Sequence, residues 1–470
     1  MVDNSALQLE RVSVIPYRCT DMPALLSAPP FRHAHDREIF RLAVPTFFAL
    51  VSEPLFLLSD TAIVGTLGTA QLGGLGVAGQ VLMTLANLCI FLAYGTTSAV
   101  ARRFGAGEIA AGLRSGIDGL WLALLIGAAV LALGYPTAPW LVAALGASPE
   151  VAPHALVYLR ISLLSTPGLL IIMAGTGVLR GLQDATTPLV VAVGANLANI
   201  GLASLLVLAL DWGIGGSAWA TVAAQTAGAA LYVAVVLRAA RRHGVSAAPS
   251  LEGLRAAAGA GAALFVRTVS LRVVLVVCTA VAARLGDPEI AAHQVATQIW
   301  SLLVFAMDAI AIAGQAIIGR YLGASDPGGA RAATRRMVEW GVLAGLLFTL
   351  AVFAARPWAP LLFTDDPQVR GLLLGALVVV ALMQPLSGVV MVLDGILMGA
   401  GDQRYLAWAS FWTMLVFLPC AAAVRIGLAD APQGLVGLWC AFAVWMAARG
   451  ATLALRARGD AWLVSGAARP

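Results

Sequence analysis

The chain contains no lysine; its 29 basic residues are all arginine, set against 24 acids. Charge of either sign is scarce, at 11% of 470 residues, where a soluble domain carries about 25%. Hydrophobic residues fill 60% of the positions and the mean hydropathy is +0.88, more apolar surface than a water-soluble core can absorb. The composition therefore points to an all-α, polytopic membrane protein. Cysteine is sparse too. Cys19, Cys89, Cys278, Cys420 and Cys440 are odd in number and scattered, without metal-ligand spacing. Neither a disulfide framework nor a metal site is expected, and the thiols read as small packing residues. The first residues lack the apolar core of a signal peptide. Residues 1–37, with Asp3, Glu10, Asp21 and "RHAHDRE", read as a polar cytoplasmic tail.

Long apolar runs are what the chain has in abundance. A span needs about 20 apolar residues. Twelve are expected, near 39–67, 73–100, 116–145, 155–179, 187–210, 216–238, 257–285, 291–319, 337–363, 372–398, 405–428 and 433–456. Arginines collect in alternate loops: Arg102, Arg103 and Arg114 after the second span, Arg238, Arg241 and Arg242 after the sixth, Arg331, Arg335 and Arg336 after the eighth. The opposite loops carry mostly acids, among them Glu150, Asp211, Asp287, Glu289, Asp365, Asp366 and Asp430. By the positive-inside rule both termini are cytoplasmic. The same asymmetry accounts for the net charge of +5 without any nucleic-acid partner.

The two halves repeat each other. "LGTAQLGGLGVAGQ" from Leu67 matches "LGDPEIAAHQVATQ" from Leu285, an offset of 285 − 67 = 218. "RRFGAGE" against "RYLGASD", and "GVLRGLQD" against "GILMGAGD", fall in the same register. Internal duplication follows. The expected lobes are residues 38–238 and 257–456, joined by a polar cytoplasmic linker, 239–256, and followed by a tail, 457–470. A six-span unit keeps its orientation when duplicated. Transporters of that design bind substrate at the repeat interface, near the bilayer midplane.

Two carboxylates interrupt the first span, in "SEPLFLLSDTAIVGTLG". Glu53 and Asp60 are seven residues apart, nearly two full turns, and so share one helix face. Pro54 between them removes a backbone donor and frees a carbonyl. An ionised group at mid-bilayer costs on the order of 3 kcal/mol by insertion scales, so such residues face a cavity or a partner.

These residues carry a resemblance. "PLFLLSDTAIVGTLG", "RRFGAGE", "RGLQDATTP" and "MDAIAIAGQAIIGRYLGASD" resemble the multidrug and toxin extrusion family, in its DinF-type branch. The resemblance implies a two-lobed, twelve-helix antiporter that exports organic, cationic or amphipathic compounds, with Asp60 as the coupling carboxylate. The fifth span, "GANLANIGLASLLV", supplies Asn196 and Asn199 but has Ala203 where the family usually carries an aspartate. Early in the seventh span, where some relatives carry a sodium-site carboxylate, the stretch "FVRTVSLRVVLV" has arginines.

Asp60 and Glu53 are thus the expected proton-coupling residues, with Asn196, Asn199, Asn87, Tyr94 and Pro54 as their polar surroundings. In the second half, Arg267 and Asp308 both lie about 15 Å deep by helical rise and are expected to form a structural ion pair. Asp184 and Asp402 read as turn or cap residues. The expected function is exchange of an outgoing organic compound for incoming protons, with sodium as the alternative ion. A lipid-linked-precursor flippase is the alternative class. An enzyme is not expected, since His33, His35, His154, His243 and His293 are dispersed. No cofactor is expected. The expected partners are a small-molecule substrate and membrane lipid, with the protein a monomer in a bacterial inner membrane.

Overall fold

The computed structural model describes residues 34–427 and 433–468, so the tail up to residue 33 and Asp430 lie outside the described residues. The described chain is helical without strands. Its helices are α1 (Ala34–Gly65), α2 (Thr69–Cys89), α3 (Phe91–Gly105), α4 (Ile109–Ala144), α5 (Ala152–Leu163), α6 (Thr166–Gly181), α7 (Thr186–Ser204, ending in a π turn) and α8 (Gly213–Arg242). They continue as α9 (Leu251–Leu285), α10 (Asp287–Gly323), α11 (Pro327–Ala355), α12 (Ala359–Phe363), α13 (Pro367–Gly399), α14 (Gln403–Gly427) and α15 (Gly434–Arg458). Eleven of the spans they form are long and apolar enough to cross a membrane, and the pair α5–α6, bent by 50°, supplies a twelfth. Side chains such as Leu58, Leu133, Trp140 and Leu350 stand well exposed, as lipid contact requires.

The helices outrun the apolar runs. α11 begins at Pro327, ten residues before the expected 337, because Asp326 caps it: its side chain accepts from the amide of Gly329 at 2.7 Å, ahead of an N-terminal proline. Hydropathy marks only the stretch in hydrocarbon, whereas a helix continues until its backbone is capped. Asp184 likewise accepts from the amides of Thr186 and Thr187 at 3.0 and 2.9 Å, as expected of a cap. Its repeat partner Asp402 differs, holding Arg456 in a bidentate pair at 2.6 and 3.2 Å.

The chain divides into two compact units, the first ending at Gly261 and taking in Gly466–Ala468, the second spanning Ala262–Ser465. The division falls inside α9. The polar segment before α9 has the composition of a flexible hinge, yet it is tied down along α4. The amide and hydroxyl of Ser250 donate to the two carboxylate oxygens of Asp118 at 2.8 and 2.9 Å. Arg114 and Trp121 donate to the carbonyls of Ser246 and Ala247 at 3.0 and 2.9 Å.

The duplication reappears as packing. In the first unit α6 packs against α3 and α4; in the second α13 packs against α10 and α11. A Cβ added to Gly177 would strike the carbonyl of Ala93, and one added to Gly395 would strike that of Ala311. A Cβ on Gly127 would come within 2.5 Å of Cα of Pro167, and one on Gly345 within 2.5 Å of Cα of Pro385. Each of these positions matches its counterpart at the 218-residue offset, as in 395 − 177 = 218 and 311 − 93 = 218. Only glycine allows backbones this close.

One difference between the units has a local cause. Pro385 lies inside the continuous helix α13, whereas Pro167 sits at the start of α6, just after the break that bends the fourth span. Proline cannot bond the carbonyl four residues back. In the second unit Thr349 donates to that carbonyl, of Ala381, at 2.7 Å. The matching residue in the first unit is Leu131, which has nothing to donate.

Candidate functional site

Asp60 lies on α1, five residues short of its C-terminal end at Gly65, and is only 3% exposed. Tyr158 of α5 donates to its Oδ2 at 3.3 Å, and Ser217 of α8 donates to its Oδ1. The Tyr158 hydroxyl also lies close enough to those of Ser217 and Thr221 to interact with them. Thr221 in turn accepts from Asn199 of α7 at 3.1 Å. Four helices of one unit thus converge on one carboxylate through hydroxyl and amide groups. No arginine or histidine of the described residues forms an ion pair with Asp60.

Of the expected surroundings, Asn199 joins this network through Thr221. Asn196, one turn away, instead holds α1 beside Glu53: its amide donates to the carbonyl and hydroxyl of Ser52 at 3.2 and 3.1 Å. Glu53 is exposed within its unit and makes no hydrogen bond or ion pair among the described residues. α1 runs through Pro54 without interruption. Asn87 and Tyr94 are not part of the Asp60 network. The amide of Asn87 donates to the carbonyl of Met83 in its own helix at 2.8 Å. Tyr94 lies beyond the break between α2 and α3, near Arg180 and Tyr232. Ala203 is fully buried, so α7 brings no second carboxylate.

Tyr158, Ser217 and Thr221 were missed by sequence reasoning. Ser217 and Thr221 are four apart on one face of α8, the one signal that could have drawn attention to them. Tyr158 had none.

The expected Arg267–Asp308 ion pair is corrected by the second unit. Arg267 pairs with Asp394 of α13, and Arg449 of α15 stands 3.5 Å from the same carboxylate. Both arginines and Asp394 are nearly inaccessible, at 8%, 4% and 3% exposure. Asp308 is partly exposed and feels all three charges without pairing. Equal depth along two helices did not make these two residues an ion pair; the direction each side chain faces around its helix decided the partner.

Duplicated six-span units of membrane-crossing helices, with a buried carboxylate held by hydroxyls inside a span, define a polytopic membrane transporter. The chain belongs to the MatE family, whose model matches residues 45–205 and 264–422. It is 29% identical over 432 residues to Protein DETOXIFICATION 44, chloroplastic, of Arabidopsis thaliana, covering 88% of this chain and 80% of that one. It is also 29% identical over 436 residues to DNA damage-inducible protein F of Escherichia coli (strain K12), covering 90% and 92%. A solved structure of a MOP superfamily transporter from Pyrococcus furiosus is similar in fold, with a TM-score of 0.81 and 22% identity over 91% of this chain and 96% of that one. The protein is a multi-pass membrane transporter, not an enzyme.

Proposed function

We propose that the protein exports organic, cationic or amphipathic compounds in exchange for protons, and that Asp60 is the group that takes up and releases the proton. The observation that carries this reading is the partner set of Asp60: hydroxyls and no basic residue. An arginine beside it would hold the carboxylate ionised. Hydroxyls both donate and accept, so the same pocket can accommodate the ionised and the protonated side chain. A membrane potential supplies about 2.3 kcal/mol per charge per 100 mV to such an exchange. Burial of Ala203 leaves α1 as the source of the coupling acid in this unit. The exporter works as a monomer in an inner membrane with both termini cytoplasmic, as the arginine-rich loops favour.

The test is substrate flux in proteoliposomes under an imposed pH gradient, with pH recorded inside. Substrate-driven proton movement is the expected result. Flux driven by a sodium gradient alone would replace the proton by sodium, and flux without either gradient would remove the antiporter reading.

A further inference from the structure

In the first unit, α8 carries five residues with a hydroxyl or amide side chain: Ser217, Thr221, Gln225, Thr226 and Tyr232. At 100° per residue, Ser217, Thr221, Gln225 and Tyr232 fall within about 80° of one another. Thr226 lies outside that arc and is exposed. The four form a stripe about 22 Å long, from Ser217 against Asp60 to the buried Tyr232. The last helix of the second unit has no such stripe. Between Gly434 and Gly450 it contains no serine, threonine, asparagine, glutamine or tyrosine.

α6 covers the stripe. A Cβ added to Gly168 would lie 3.3 Å from the carbonyl oxygen of Gln225, and one added to Gly228 would lie 3.1 Å from Cδ1 of Ile172. One added to Gly175 would meet the Tyr232 side chain at 2.8 Å, and the next residue, Thr176, donates to the Tyr232 hydroxyl at 2.9 Å. The charged groups acting on Tyr232 are Arg180 and Asp184, one of each sign, in the last turn of α6 and just beyond it. Polar atoms are left over along this interface. Oδ1 of Asn199, Oε1 of Gln225 and Nε of Arg180 are buried and have no hydrogen-bond partner among the described residues. Buried polar atoms nearly always find a partner, and where protein supplies none an ordered water does. One contact interrupts the series: Ile172 lies over Gly228, between Gln225 and Tyr232, and offers nothing polar.

We propose that the proton taken up by Asp60 is released through the interior of the first unit, along the α6–α8 interface. Gln225 and Tyr232 are the positioning residues that hold the waters of this path, and Ile172 closes it. The inference rests on the reading of Asp60 as the coupling group and adds the route. Each hydroxyl or water accepts one proton on a lone pair and passes another on, so no carrier keeps a charge and the carboxylate is left ionised. Displacement of Ile172 joins the two polar stretches. With Ile172 in place the unit is sealed, which keeps protons from crossing without exchange.

The test reads proton movement in proteoliposomes with the pH dye pyranine inside and an imposed pH gradient. With no organic compound present, Ile172→Ala is expected to dissipate the gradient several-fold faster than the unmodified protein. Adding Gln225→Met should abolish that leak. This arm needs no substrate: a protein that leaks in this way yet moves no organic cation keeps the path and removes the export reading. With ethidium as the transported cation, Gln225→Met and Tyr232→Phe should each slow pH-driven flux on the order of tenfold, the worth of one lost hydrogen bond in the relay. Both should raise the ratio of rates in H2O and D2O, which a purely structural role would not move, and leave ethidium binding in nanodiscs unchanged. Gln225→Glu, which keeps a polar group, should retain flux. An Ile172→Ala protein that stays sealed, or a leak that survives Gln225→Met, overturns the proposal. So do wild-type flux and isotope ratio in Gln225→Met and Tyr232→Phe.

Discussion

The phenolic hydroxyl of Tyr158 donates to Oδ2 of Asp60 at 3.3 Å, across 98 positions of the chain and between two different spans. With Ser217 on the other oxygen, Asp60 is fixed in place by groups that tolerate either of its protonation states. Asp60→Asn should therefore insert and bind substrate, because both hydroxyls can turn to suit an amide. Export driven by a pH gradient in proteoliposomes should fall to background. Glu53→Gln, at an exposed and unpaired position, should keep part of the flux. Wild-type flux from Asp60→Asn would place the coupling group elsewhere.

Tyr158→Phe tests the network itself. One hydrogen bond to a buried acid is removed with little change of shape, a loss of about 1–3 kcal/mol. Thermal unfolding in detergent should register it. Asn87→Ala, outside the network and bonded only within its own helix, should leave that transition nearly unchanged.

In the second unit, Asp394 answers two arginines at once. Asp394→Ala should be the most damaging single change there, costing about 3–5 kcal/mol, since it leaves both cations buried without a partner. Asp308→Ala should be mild. Adding Arg267→Ala to Asp394→Ala should cost less than the two separate losses summed; strict additivity in the unfolding data would mean the pair is not coupled.

Packing at the repeated crossings gives a fourth prediction. Gly177→Ala and Gly395→Ala should each destabilise by about 1–3 kcal/mol, because a methyl group meets backbone that cannot move aside. Gly259→Ala is the control: a Cβ there meets nothing within 4 Å, and replacing a helical glycine should be neutral or slightly stabilising.

Asp118→Ala should release the segment that precedes α9. It loses the bonds to Ser250, and trypsin should then cut faster at the exposed Arg241 and Arg242. An unchanged cleavage rate would show that the segment is held by something other than Asp118.

The orientation is checked by labelling. In a background without cysteine, Cys at position 246 should be shielded from reagents outside the cell and Cys at position 148 should react. Ser246 and Ser148 are both exposed, so access depends on the side of the membrane. The reverse pattern would invert the topology.

The spans, the duplication and the family were legible in the chain itself. Hydrocarbon obliges each crossing segment to satisfy its own backbone, so an apolar run of sufficient length becomes a helix whatever its neighbours are. Repeats survive as matched residues at a constant offset, and Asp60 is conspicuous because charge is rare inside a span. Rise per residue even placed Arg267 and Asp308 at a common depth. What linear order does not contain is which way a side chain faces and which helix stands opposite. That decided that Arg267 meets Asp394 and not Asp308, and that Tyr158 and Ser217 hold Asp60 while Tyr94 does not. Depth follows from counting along one helix, whereas partnership requires the packing of several, and only the folded bundle supplies that.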